Sequence, residues 1–95
     1  MSANVFTDGI PLESDCPTAH NRIILAAMYL SRSHDESYLD RSRAFYSDQA
    51  SAWARDAAEG LHSHYKTGSQ TVWLAVVRYM VELHTARLDA ERENY

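Results

Sequence analysis

The chain has 95 residues, of which 45% are hydrophobic and 23% charged, and its formal net charge is −4. This length suits one small domain, and the composition is typical of a globular protein, which excludes a collagen-like chain and argues against disorder. A single Cys excludes an internal disulfide framework, and three Gly with two Pro disfavour a turn-rich β-sandwich.

The N-terminal residues 1–14 show no helical period, and Gly9 and Pro11 interrupt the backbone. We therefore predict an extended N-terminal arm over residues 1–14, followed by a helical domain over residues 15–95. The arm carries several apolar side chains, which would let it lie along the domain or along a partner.

The first predicted helix spans about residues 16–32. Ser14 and Asp15 are good N-cap residue types, and Pro17 is tolerated in a first turn. Its main apolar stripe is joined by Leu25 and Met28 on the opposite side. A helix that is apolar on two sides is either central or contacted from both sides.

The second predicted helix spans about residues 36–64, with an apolar stripe that begins at Leu39 and is widened by Tyr38 and Phe45. As one straight helix it would be about 43 Å long, which is long for a domain with an expected radius of gyration of about 13 Å. One continuous helix is possible, but a bend near Ser47 and Asp48, which would make a fourth helix, fits this size better. Gly60 lies on the packing side, where it would either admit a close helix or loosen the last turn.

A turn over residues 66–69 precedes the third predicted helix, at about residues 70–92, with Ser69 as its N-cap. Its apolar arc covers about 200°, against about 100° for an ordinary surface helix. Two partner helices would not cover so wide a face. The sequence thus predicts an all-α fold, a small three-helix bundle, that associates as a symmetric homodimer.

Metal or haem binding is an alternative function because His20, His64 and His84 lie on or beside apolar faces of the predicted helices. No two histidines are spaced i, i+4, and no HExxH motif is present. The pattern therefore favours structural roles for the three histidines. We predict no cofactor, no metal site and, since no catalytic motif occurs, no enzymatic activity.

Nucleic-acid binding is a second alternative, in which Arg41 and Arg43 would contact phosphates. The excess of acidic over basic residues argues against this function, because nucleic-acid-binding domains of this size are usually basic. Ion pairs along the helix surfaces explain the arginines better, and we expect Asp40 to pair with Arg43 and Arg87 with Glu91.

Protein binding is the preferred function because the chain has six Tyr and eight Arg but a single Lys, and Tyr and Arg are enriched at interface hot spots. Arg22, Leu25, Met28 and Tyr29 on the first helix are the predicted contacts. The lone Cys and the lack of a signal peptide or a membrane-spanning run predict a cytoplasmic protein. We expect a non-enzymatic interaction module, such as a bacterial or phage inhibitor or regulator.

Overall fold

The computed structural model describes residues 15–94, which form three α-helices. They are α1 (Pro17–Ser33), α2 (Asp40–Tyr65) and α3 (Gln70–Glu93), joined by short turns. The described part contains no β-strand, so the predicted all-α bundle is confirmed. The arm predicted for residues 1–14 lies outside the described residues. None of the three helices is both long enough and apolar enough to cross a membrane.

Helix α1 begins directly after Cys16, with Pro17 in its first turn as expected. Proline fits there because its fixed φ angle is helical and its missing N–H would have had no partner within the helix. Asp15, which was predicted as a capping residue, lies before the cap in an exposed turn. Cys16 holds the N-cap position instead, without a capping hydrogen bond from its side chain.

Helix α2 begins at Asp40, four residues later than the sequence pattern indicated. The Asp35 side chain accepts a hydrogen bond from the Ser37 N–H (2.9 Å), and the Asp35 carbonyl accepts one from the Tyr38 N–H (3.2 Å). These bonds stabilise a turn in place of a first helical turn. Leu39 is therefore an extended N-cap residue with 78% of its surface exposed, and not the first core residue of α2.

Helix α2 is continuous over its 26 residues, so the bend and the fourth helix expected at Ser47 and Asp48 are absent. The described residues measure 46 × 25 × 18 Å, with a radius of gyration of 14.1 Å. A helix of 26 residues is about 39 Å long and fits along the longest dimension. The elongated shape of the bundle therefore removes the need for a bend.

The turn between α2 and α3 lies where it was predicted. Lys66 and Gly68 both have positive φ angles, 57° and 70°, and the Ser69 hydroxyl accepts a hydrogen bond from the Val72 N–H (3.1 Å) as the N-cap of α3. Trp73 closes the turn, because its indole N–H donates to the Thr67 carbonyl at 2.6 Å.

The buried core combines small side chains, all of them from α1 and α2, with large ones, of which Ile23 comes from α1, Leu61 from α2 and the rest from α3. Six of its twelve members are alanines, and all six belong to α1 and α2. Helix α3 contributes Trp73, Val77, Met80 and Val81. The alanines offer little volume of their own, so the side chains of α3 supply much of the apolar bulk between the other two helices.

Candidate partner-binding surface

Five side chains form a cluster where α1 ends and α2 begins, and we call this cluster the aromatic surface. Its members are Tyr29, Arg32, Tyr38, Phe45 and Tyr46. The ring of Tyr46 lies at the centre, with ring centroids 5.8 Å from Tyr29, 5.2 Å from Tyr38 and 5.9 Å from Phe45. All three pairs are edge-to-face, the arrangement that aromatic rings favour.

Arg32 completes the aromatic surface by a cation–π contact. Its guanidinium carbon lies 5.5 Å from the ring centroid of Tyr29 and 5.8 Å from that of Tyr46. Within residues 15–94 Arg32 makes no ion pair. A guanidinium held over aromatic rings keeps its N–H groups directed outward, where they can bind a carboxylate from another molecule.

Much of the apolar area around this cluster faces solvent. Phe45 is 54% exposed, while Tyr38 and the neighbouring Met28 are each 37% exposed. The expectation that Tyr38 and Phe45 widen the core stripe of α2 is therefore wrong, because the start of α2 extends past the end of the core. Met28 and Tyr38 also line a surface hollow of about 250 Å³, together with Arg32 and Leu88.

A polar network fastens α1 to α3 beside this hollow. The Ser31 hydroxyl donates to Asp89 Oδ1 (2.6 Å), and His34 Nδ1 lies 2.8 Å from Asp89 Oδ2. Arg92 donates to the Ser31 carbonyl (3.0 Å) and to the Ser31 hydroxyl (2.9 Å). The network therefore satisfies the buried polar groups at the end of α1.

The ionised form of Asp89 is favoured within this network. Burial alone would raise the pKa of the Asp89 carboxyl, but the hydrogen bonds from Ser31 and His34, together with nearby positive charge, hold that pKa below its usual range. A serine nucleophile needs a base beside its hydroxyl. Here the carboxylate lies between serine and histidine, and Ser31 is 7% exposed, so the order of the three groups differs from that of a serine beside a histidine base.

The four predicted contact residues fall in different places. Met28 and Tyr29 lie at the aromatic surface. Arg22 lies nearer the start of α1, where its side chain donates to the Thr18 carbonyl at 3.5 Å and lines a separate hollow against α2. Leu25 is half-buried. Of the four predicted contact residues, only Met28 and Tyr29 therefore lie at the exposed cluster.

The three histidines of the metal hypothesis do not form one site. The rings of His20 and His84 meet edge-to-face between α1 and α3, with centroids 6.5 Å apart, whereas the ring of His64 packs on Tyr65 at 4.7 Å. Residues 15–94 contain no group of three or more His, Cys, Asp or Glu placed to hold a metal ion. Burial, followed by the charges of Arg87 and His20, lowers the pKa of His84.

The two arginines of the nucleic-acid hypothesis have different surroundings. Arg43 forms the predicted ion pair with Asp40, which confirms that expectation. Arg41 is exposed. The second predicted ion pair, between Arg87 and Glu91, is absent from the ion pairs of the described residues.

Sequence reasoning missed the Asp89 network and the position of Arg32 over the tyrosines. The interruption of the apolar pattern of α1 at Ser31 to Ser33 was the available signal for the network. The Arg32 contact has no comparable signal, because it depends on how the end of α1 meets α2.

Comparisons of the chain with protein-family models, with curated proteins and with solved structures found no match.

Proposed function

We propose that this protein is a small, non-enzymatic interaction module that binds a larger protein through the aromatic surface. In this proposal it acts in the cytoplasm as an inhibitor or regulator of that protein. The observation that carries the proposal is the exposure of Phe45 (54%) and Leu39 (78%) beside a packed set of tyrosine rings.

Rigid aromatic side chains are suited to binding because they lose little conformational entropy when a partner covers them. Tyr29 and Tyr46 are already held by their mutual contact and by Arg32. A partner would therefore meet a preformed surface, which reduces the ordering cost of association.

The chemistry of the surface specifies the partner segment. The exposed side chains of Met28, Tyr38 and Phe45 favour aliphatic or aromatic side chains, and Arg32 favours a carboxylate within the same segment. The proposed partner is thus a protein segment that carries an acidic residue beside apolar ones.

The experiment compares Leu39→Ser, Phe45→Ser and Arg32→Gln with the wild type as affinity baits in the organism of origin. A captured protein is then purified, and its dissociation constant is measured by titration calorimetry. Because hot-spot side chains each contribute more than about 1.4 kcal/mol, the three variants should weaken binding at least tenfold. Arg55→Gln is the matched control for Arg32→Gln, since Arg55 is an exposed arginine on α2 outside the aromatic surface.

Loss of the captured protein in the Leu39, Phe45 and Arg32 variants alone supports the proposal. Unchanged affinity in all three variants, or an equal loss in Arg55→Gln, would overturn it. Circular dichroism of each variant keeps the comparison to proteins that fold normally.

A further inference from the structure

Helix α3 carries a second apolar surface, which faces away from the core except at Val76, a partly buried residue packed against the core, and we call it the outer stripe. The stripe has six residues, and the separation between successive members alternates between four and three positions over about 27 Å of helix. They are Val72, Val76, Tyr79, Leu83, Ala86 and Ala90. This alternation is the heptad repeat of a coiled coil, with apolar residues at positions a and d.

Most of the outer stripe is uncovered in the single chain. Tyr79 is 57% exposed, Leu83 is 48% exposed and Val72 is 37% exposed, while Ala86 and Ala90 are also exposed. Residues on the opposite side of the same helix, such as Val77 (0%), fill the core. Helix α3 is therefore apolar on two faces, and among the described residues only one of them is packed against the other helices.

Three charged residues of α3 lie at the positions e and g that specify pairing in coiled coils, and one of them, Asp89 at position g, is already held in the polar network at the end of α1. With Val76, Leu83 and Ala90 at position a, Glu82 occupies position g and Arg87 the following position e. Neither residue belongs to an ion pair within residues 15–94. Their separation of five residues is the one that places g of one strand beside e of a parallel partner.

The orientation follows from these charges. In a parallel pair in register, Glu82 of each copy lies beside Arg87 of the other, so two complementary contacts form by symmetry. In an antiparallel pair, positions g face each other, and Glu82 would then lie on the same side as the acidic g residues of the second copy, which is unfavourable.

We propose that the outer stripe binds a second copy of this chain, and that the two α3 helices form a parallel, two-stranded coiled coil. Leu83 and Tyr79 lie at the centre of the interface, and the alanines at positions 86 and 90 let the helices approach closely near their C-terminal ends. The homodimer would place the aromatic surfaces of both copies outside this interface, so dimerisation and partner binding are separate properties.

Sedimentation velocity over a series from low to high micromolar concentration tests the proposal. The wild-type protein should dimerise, and Leu83→Ser should raise the dissociation constant at least tenfold. Leu39→Ser is the matched control, because it removes an exposed leucine outside α3 and should leave the dimer unchanged. Arg87→Glu should weaken the dimer, and adding Glu82→Arg should restore it.

Orientation is tested by Ala86→Cys in a Cys16→Ser background. Position d residues of two parallel strands in register lie within disulfide reach, so oxidation should produce a covalent dimer. A monomer at every concentration overturns the proposal, as does a dimer that resists Leu83→Ser. A dimer that does not cross-link through residue 86 overturns the parallel arrangement.

Discussion

The inner and outer faces of α3 have similar composition but different environments. Trp73 and Val77 on the inner face are at most 1% exposed, whereas Tyr79 and Leu83 on the outer face are about half exposed. The inner face is defined by the positions of α1 and α2, and most of the outer face has no neighbour among residues 15–94. Apolar periodicity in this helix therefore indicates contact surfaces in general, and only the packing of the other helices decides which of them is the core.

The largest expected effect is a difference in the free energy of unfolding between variants of the inner and outer faces of α3. Trp73→Ala removes a ring that stacks on Tyr65 at 5.3 Å and donates to the Thr67 carbonyl, so the free energy of unfolding should fall by about 3–5 kcal/mol. Tyr79→Ala on the outer face should change it by less than about 0.5 kcal/mol in dilute protein. Urea denaturation at low concentration measures both values, and similar losses would show that the two faces are energetically equivalent.

The next largest effect on the free energy of unfolding should come from Asp89, at the polar edge of the inner face of α3. Asp89→Asn removes the charge that Ser31, His34 and Arg92 surround, and should cost about 1–3 kcal/mol at neutral pH. Because the pKa of Asp89 is lowered in the folded protein, its stabilising contribution is complete above about pH 4 and is lost as the pH falls through the folded value.

The difference between Asp89→Asn and the wild type should therefore shrink in acid. Urea titrations at neutral pH and at about pH 3 measure it, with the exposed Glu91→Gln as the control. An unchanged difference at both pH values would show that the carboxylate charge is not what stabilises the network.

Two glycines should respond in opposite directions, because Gly60 tests how tightly α2 packs against α1 and Gly68 tests the backbone of the turn before α3. A Cβ at Gly60 would lie 3.9 Å from the Ala19 Cβ, an ordinary contact, so Gly60→Ala should stabilise the protein by about 0.5–1 kcal/mol. Gly68→Ala should destabilise it by about 1–2 kcal/mol, because its φ angle of 70° disfavours a side chain. Thermal unfolding measures both shifts; a loss of stability in Gly60→Ala would indicate that a close helix approach does require glycine there.

The smallest expected effect is a dependence of protein stability on pH that arises from His84 of α3. Burial lowers the pKa of His84, so the unfolded chain takes up its proton first, and stability should decline as the pH falls from about 6.5 toward the lowered value. His84→Gln should flatten this part of the profile, whereas the control His62→Gln should leave it unchanged. Melting temperatures between about pH 8 and pH 5.5 provide the measurement, and identical slopes in all three proteins would exclude His84 as the source.

The helices were predictable because their signals are local. The capping hydroxyl of Ser69, the turn at Gly68 and the early Pro17 each act within one or two turns of the chain. The start of α2 was misplaced because the Asp35 turn competes with a helix through side-chain hydrogen bonds that period alone does not register. The bend expected at Ser47 and Asp48 is absent because the bundle is elongated, whereas the expectation rests on a compact shape.

The candidate surface was only partly predictable. Met28 and Tyr29 were identified because they lie away from the main stripe of α1, a property of one helix. Phe45 was assigned to the core because its position on α2 adjoins the stripe there, and the sequence does not specify where the neighbouring helices end. Exposure at the end of a helix is set by the lengths of its partners, which is tertiary information.

The alanines of α1 and α2 have a consequence for how this protein can vary. An alanine such as Ala57 or Ala58, with no exposed surface, offers almost nothing to truncate, so nearly every substitution there adds volume. Added volume in a packed core costs about 1–3 kcal/mol. The larger side chains of the core can be shortened as well as enlarged. Compensating changes during the evolution of this core would therefore come from these residues, which are Ile23, Leu61 and the four core residues of α3.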